Sequence, residues 1–495
     1  MRETELKFAV DRSFQIDDIR GQAGVAAVQP LDPQELTSTY YDTTDLRLAR
    51  SGVTLRFRTG EEEPLWTVKF PSHGTDARVR EELNYAGSPD EIPAETADLV
   101  IGHCRSAALE PVATLVTTRD RWRLIGHDDV PLAEVCDDNV AIVERGHTLT
   151  RFREVELESL SLELDDLNVI GDALSGAGAV PTEAVPKAVR ALGPRATAPP
   201  DLPPAGTGQP TSSAEAVARM IIRATDRVQS HHAAARLGDA EGVHQMRVAT
   251  RRLRSDLRSF APLVDEPWSV GVQTDLAWLA DALGEVRDSD VMMQRLAQKA
   301  IDLRPATDTL FSRLGAQADR RREALHEVLR SDRYRMLLET LVRAAQNPPL
   351  ARDASRAISA MSIHLAPLWE KLATSADNAA DTSTDDALHH LRIRVKRVRY
   401  AAEALADTLP RSKGPERLAR RAAKLQSILG EHQDAAVAQR VLHDAASAED
   451  SDTAFVIAVG RLIEREHAAA RTAARQWRSA WRSLKSPKAT NWFAS

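Results

Sequence analysis

His244-Gln-Met-Arg-Val-Ala-Thr-Arg-Arg-Leu-Arg254 returns 145 residues further on as His389-His-Leu-Arg-Ile-Arg-Val-Lys-Arg-Val-Arg399, with every basic position of the first copy basic in the second. At helical spacing His244, Arg247, Arg251 and Arg254 fall at i, i+3, i+7 and i+10, as do His389, Arg392, Lys396 and Arg399, so each set forms one stripe. The apolar positions are Val243, Met246, Leu253, Leu257 and Phe260, mirrored by Leu388, Leu391, Val395, Val398 and Leu405. Most precede a cation by one residue, about 100° of rotation. The cations therefore flank the core-facing stripe instead of lying opposite it, where a merely solvated face would be. A second match, Leu283-Gly-Glu-Val-Arg-Asp288 with Leu429-Gly-Glu-His-Gln-Asp434, lies at an offset of 146. Repetition predicts a duplicated helical bundle whose two basic helices face one cleft, where a linear anion can lie.

Working outward, the stretch 193–213, GPRATAPPDLPPAGTGQPTSS, carries six prolines and reads as a linker. It divides the charge. Residues 1–192 hold 20 Lys and Arg against 35 Asp and Glu, and the remainder 45 against 37, so the overall −7 splits into −15 and +8. An acidic half suits metal ions and a basic half suits phosphate polymers. No apolar run of about 18 residues and no signal-like N-terminus is present, which predicts a cytoplasmic chain without membrane contact. Cys104 and Cys136 lack metal-site spacing and read as reduced thiols.

Before the linker, short alternating segments predict strands around Glu3–Phe8, Thr54–Arg58, Trp66–Phe70, Arg78–Tyr85, Thr117–Leu124, Leu132–Cys136 and Phe152–Glu158. Alternation puts Glu3, Glu5 and Lys7 on one face, with Thr4, Leu6 and Phe8 on the other. The same separation recurs at Arg56 and Arg58, at Lys69, at Arg80 and Glu82, at Arg119, Arg121 and Arg123, and at Glu154, Glu156 and Glu158. First and last strands supply carboxylates, and those between supply mainly cations. Alternation alone is satisfied by a sheet with one wet face. In a closed barrel the same charges must be neutralised inside, by one another or by a polyanion with divalent cations.

The first half resembles the CYTH domain, a triphosphate tunnel metalloenzyme family. Glu3, Glu5 and Lys7 stand at its ExExK signature, and Glu154 and Glu156 at its closing ExE. The resemblance implies that Glu3, Glu5, Lys7, Glu154 and Glu156 are catalytic. It implies that Glu3, Glu5, Glu154 and Glu156 hold Mg²⁺ or Mn²⁺ with Asp137, beside which Asp138 is the alternative. Arg56, Arg58, Lys69, Arg80, Arg119 and Arg121 would grip phosphate oxygens, joined by Lys187 from a C-terminal helix. The second half resembles the CHAD domain, a histidine-bearing helical module associated with inorganic polyphosphate. That implies polyphosphate contacts from His244, Arg247, Arg251, Arg252, Arg254, His389, Arg392, Lys396, Arg397 and Arg399, and association with polyphosphate granules. Arg287, Asp288, Asp290 and Asp434 read equally as orienting ion pairs or as loop caps.

The expected architecture is an α+β multidomain chain. A CYTH β-barrel tunnel with helices spans 1–192, the linker 193–213, and an all-α duplicated CHAD bundle 214–485. The expected activity is metal-dependent hydrolysis of inorganic triphosphate or polyphosphate. A non-catalytic polyphosphate binder, and an organic-triphosphate enzyme such as a nucleotide cyclase or a thiamine triphosphatase, are the alternatives. Nucleic acid is disfavoured as the polyanion, because aromatic residues are 4% of the chain and no stacking platform interleaves with the bases. Oligomeric state is not legible in one sequence.

Overall fold

A computed structural model describes residues 2–11, 13–16, 20–71, 79–182, 185–352, 358–382, 384–408, 413–447 and 452–493, without the side chains of Arg2, Glu3, Val79 and 358–360. The chain forms two compact units, Met1–Asp201 and Leu202–Ser495. Part of the Pro-rich stretch belongs to the first. Arg50 donates to the Pro199 carbonyl, Arg195 to that of Thr44, and Arg105 pairs with Asp201.

In the first unit the strands are β1 (Arg2–Ala9), β2 (Val25–Asp42), β3 (Thr54–Thr59), β4 (Leu65–Pro71), β5 (Val79–Ala86), β6 (Glu110–Gly126), β7 (Pro131–Glu144), β8 (His147–Ser159) and β9 (Val180–Thr182). The helices are α1 (Arg47–Arg50), α2 (Ala94–Cys104), α3 (Leu164–Gly176) and α4 (Lys187–Leu192). The sheet runs β5-β4-β3-β2-β6-β7-β8-β1-β9, and β5 also pairs with β1 through Glu3↔Arg80. That pairing closes eight antiparallel strands into a barrel, about the number whose interior side chains can fill.

Most strands have an apolar and a charged face. Phe8, Leu124, Val135, Val155 and Leu157 pack beneath Leu167, Ile170 and Leu174 of α3. Leu55, Phe57, Trp66 and Val68 pack with Val100 and Cys104 of α2. The apolar faces thus point outward under helices, and the charged faces inward. At one level the lumen is filled by Tyr40, Leu115 and Val140 with Ala188 of α4. This seats Lys187, the first residue of α4, against the charged interior.

The second unit is all-helical: α5 (Ser213–Ser230), α6 (His232–Arg236), α7 (Ala240–Ser259), α8 (Glu266–Lys299), α9 (Asp308–Arg330), α10 (Asp332–Gln346), α11 (Ala366–Thr382), α12 (Asp385–Thr408), α13 (Lys413–Ala446), α14 (Thr453–Leu484) and α15 (Pro487–Thr490). The start of α5 is set by Ser212, whose hydroxyl accepts from Glu215 N, and that of α7 by Asp239, which accepts from Gly242 N. The apolar stripes read from sequence on α7 and α12 are buried throughout. Among the described residues no helix is long and apolar enough to cross a membrane.

Candidate phosphate sites in the barrel and the helical unit

Strand register brings most of the predicted barrel residues into one ring. Lys7 stands opposite Glu156, and Ala9 opposite Glu154, on β1 and β8; Glu154 faces Asp138 on β7, and Asp138 faces Arg119 on β6. On the far arc, Ser38 and Tyr40 face Arg58 and Arg56, and Lys69 faces Glu82. Glu5, Lys7, Arg58, Arg80, Asp138, Glu154, Glu156 and Lys187 are all less than a tenth exposed. A solvated sheet face is therefore excluded. The Glu3 side chain lies outside the described residues.

The acidic arc is tightly paired. Lys187 Nζ lies 2.6 Å from Glu156 Oε1, 2.9 Å from Asp138 Oδ2 and 3.0 Å from Glu154 Oε1. Lys7 Nζ lies 2.6 Å from Glu156 and 3.4 Å from Glu5. Arg119 grips Asp138 with two bonds of 2.7 and 2.6 Å and Glu156 with one of 2.9 Å. Burial works against each charge, but the pairing outweighs it: Glu156 and Asp138 are held below their ordinary values, and Lys7 and Lys187 above theirs.

The cationic arc is less neutralised. Arg58 donates to Ser38 Oγ at 2.9 Å and pairs with Glu61 at 3.0 Å, and Lys69 pairs with Glu82 at 2.6 Å. Burial and the adjacent Arg56 lower the Arg58 pKa. Burial opposes ionisation of the Tyr40 hydroxyl, yet Arg56, Arg58 and Lys187 together outweigh it and lower its pKa. Arg80 Nη2 donates to the Gly52 carbonyl at 2.6 Å.

Three expectations need correction. Asp137 does not face the lumen: it has the opposite parity to Asp138, and Arg153 grips it with bonds of 2.9 and 2.6 Å while also donating to the Asp11 and Phe14 carbonyls. Asp138, fully buried, is the acid in the ring. Arg119 and Lys187 sit in the acidic arc and not on the cationic wall. Arg121, two residues along β6, is occupied by Glu134 at 2.7 Å.

The donor set suits a hard divalent cation, because Glu5, Asp138, Glu154 and Glu156 offer only carboxylate oxygens. Glu154 Oε1 is buried with the Lys187 ammonium 3.0 Å away, so a metal bound there would take over a contact that Lys187 now makes. Among the described residues no three such groups are placed to hold a metal ion as they stand, and the ammonium groups of Lys7 and Lys187 lie among them.

In the helical unit the two sequence repeats converge. Arg247 and Arg251 of α7 and Arg392 and Lys396 of α12 act on one another: burial, then Arg392, Arg251 and Arg247, push the Lys396 amine down to about 7 against the opposing pull of Asp434. Burial, Arg251 and Arg392 likewise lower the Arg247 pKa, with Asp288 opposing. Among the described residues Arg251, Arg254, Arg392 and Lys396 make no ion pair. Arg254 and Arg397 continue the basic surface, each lying close enough to weigh on Arg258. His389 Nδ1 bonds Gln433 Oε1 at 2.9 Å, whereas His244 Nδ1 is buried without a partner. Arg399 pairs with Glu403 at 2.6 Å.

The second repeated motif has a structural role that sequence reading left open. Asp288 pairs with Arg247 at 2.9 Å, and Asp434, ahead of Asp288, is the acid acting most strongly on Arg392. A Cβ at Gly284 would stand 3.6 Å from Arg247 Nε, and one at Gly430 3.8 Å from Arg392 Nε. Each guanidinium lies against the bare glycine of the neighbouring helix. Arg252, one residue around the helix from Arg251, is drawn to Asp407 at 3.1 Å.

A closed barrel with charged lumen, followed by a duplicated bundle with paired basic helices, defines a CYTH triphosphate-tunnel domain joined to a CHAD domain. A CYTH-domain model matches residues 1–172, and a CHAD-domain model residues 219–443. The chain belongs to this CYTH–CHAD family: it is 31% identical over 508 residues to the uncharacterized protein Rv2226 of Mycobacterium tuberculosis, across 97% of this chain and 96% of that one. Among solved structures, the CHAD domain from the plant Ricinus communis is 27% identical, covering 57% of this chain and 95% of that chain at a TM-score of 0.47. PptA from Streptomyces chartreusis is 20% identical, covering 55% and 100%, at a TM-score of 0.48.

Proposed function

We propose that the barrel hydrolyses inorganic triphosphate or the ends of polyphosphate with Mg²⁺ or Mn²⁺, and that the helical unit binds polyphosphate. The observation that carries this reading is the segregation of buried charge inside one closed barrel. Carboxylates on β1, β7 and β8 stand across from Arg56, Arg58, Lys69 and Arg80 on β3 to β5. Guanidinium forks and an ammonium group match phosphate oxygens, and would hold a phosphate chain extended. Glu5, Asp138, Glu154 and Glu156 would hold the metal, which supplies charge neutralisation and an acidified water. Phosphoryl transfer depends mainly on positioning and electrostatics, so the chain needs no covalent nucleophile.

The test is phosphate release from tripolyphosphate, long polyphosphate and ATP with each metal, by the intact chain and Glu5→Ala. Release from an inorganic substrate, lost in a folded Glu5→Ala variant, supports the reading. ATP as the sole substrate sinks it. A second reading, phosphate binding without turnover, is favoured by Lys7 and Lys187 already neutralising the carboxylates; tight tripolyphosphate binding with no release in either metal would establish it.

A further inference from the structure

The helical unit contains a cavity of about 350 Å³ between α5, α7 and α12, and its lining shares no residue with the Arg247–Lys396 cluster. Its one deeply buried acid is Asp256, 4% exposed, whose Oδ1 has no hydrogen-bond partner. The nearest paired cation, Arg252 Nε, stands 3.9 Å from Oδ2. Above it Arg223 Nη1 and Arg252 Nη2 converge on a single oxygen of Asp407, at 2.9 and 3.1 Å. The rest of the wall near them is apolar, formed by Met220, Ala249, Leu253 and Ala404.

Charge decides what such a cavity takes. Arg219, Arg223, Arg227 and Arg252 line it against Asp226, Asp256 and Asp407. Burial, with Glu403 and Asp407 adding and Arg252 opposing, pushes the Asp256 carboxyl up to about 8. That shift favours the protonated carboxyl, which can donate, and four arginines against three acids leave the lining net positive. Two guanidiniums meeting one carboxylate is itself an oxyanion seat. The Asp407 side chain that fills it is 43% exposed and can turn to water. The acids are also not part of the repeat. The positions 145 residues away are Ala401 for Asp256 and Pro262 for Asp407, so a track shared by both basic helices does not require them.

We propose that this cavity binds a small organic anion, an oxyanion on an apolar body. Arg223 and Arg252 take the anionic oxygens in place of Asp407, the Asp256 hydroxyl donates to the same group, and Met220 and Leu253 cover the body. The volume lies at the small end of ligand pockets. The oxyanion can be a phosphate ester or a carboxylate, and the two share this chemistry.

Calorimetry of the full chain with phenyl phosphate, benzoate and benzylamine tests it. Saturable binding of phenyl phosphate or benzoate is expected, and whichever binds tighter identifies the oxyanion. Arg223→Gln, at an exposed position that leaves the core intact, should weaken it about tenfold or more. Asp256→Ala should do the same, with circular dichroism confirming the fold. Lys396→Met should leave it unchanged. The proposal is overturned if neither anion binds the intact chain, or if benzylamine binds more tightly than both. It is equally overturned if anion binding survives Arg223→Gln and is lost in Lys396→Met, which would place the anion in the polyphosphate cleft.

Discussion

Lys187 Nζ, at the first turn of α4, lies 2.6 Å from Glu156 Oε1 on β8, inside the closed barrel. The same ammonium group also serves Asp138 and Glu154. Removing it leaves three buried carboxylates to share Lys7, Arg119 and the outer Arg190, which reaches Glu154 at 3.2 Å. Breaking a buried pair from one side is far more damaging than never having built it. Lys187→Met is expected to destabilise the first unit by about 3 kcal/mol, read as a downward shift of its thermal transition at pH 7.

The same pairing sets the response to acid. Glu156 is held well below its ordinary 4.5, and Asp138 below 3.8, by Lys187 and Arg119 against the cost of burial. A depressed carboxylate contributes stability above its unfolded pKa and loses it as pH falls through its folded one. The barrel should hold its stability through neutral pH and lose it below about pH 4. Melting followed by circular dichroism across pH 2.5 to 7 checks this, and Glu156→Gln should flatten the decline.

Asp137 and Asp138 are neighbours with different work. Asp138→Asn removes the acid that faces Arg119 and Lys187, and is expected to abolish metal-dependent phosphate release. Asp137→Asn loosens Arg153, which ties β7 and β8 to the Asp11 and Phe14 carbonyls. It should cost about 1–3 kcal/mol of stability and leave turnover largely in place. Phosphate release and thermal melts on both variants separate the two; equal loss of turnover would refute the assignment.

Lys396 titrates near neutrality, with Arg247, Arg251, Arg392 and Asp434 as its charged neighbours. A bound polyanion restores its proton, so long-chain polyphosphate should bind more tightly as pH falls from 9 to 6. Long chains are chosen because terminal phosphates, which titrate in the same range, are then few. Lys396→Met should weaken binding and remove most of the slope above pH 7. It should also stabilise the helical unit by about 1–2 kcal/mol at pH 6, a figure reduced for partial solvent screening. A depressed amine is a cost to folding that is fully present below its folded pKa, hence the choice of pH.

The binary pattern of the strands and the doubled basic helices were enough to read a charged-faced sheet, an all-helical duplicate and the basic stripes of α7 and α12. Both signals are local, because side-chain parity on a strand and angular position on a helix follow from backbone geometry alone. The repeat identified Asp288 and Asp434, but the ion pair of Asp288 with Arg247, the pull of Asp434 on Arg392, and the glycines that receive those guanidiniums depend on how α8 and α13 pack against α7 and α12. Whether the charged face of the sheet was wet or enclosed rested on the Glu3↔Arg80 pairing of β1 with β5, a contact between residues 77 apart in sequence. Asp137 and Asp138 are indistinguishable by composition, and only strand register assigns one to Arg153 and the other to the lumen. The Asp256 cavity left no trace in sequence, since its acids and arginines come from three helices and acquire a common environment only when those helices pack. Sequence determined which residue types share a face; tertiary structure decided which faces meet, and burial then fixed which of their charges persist.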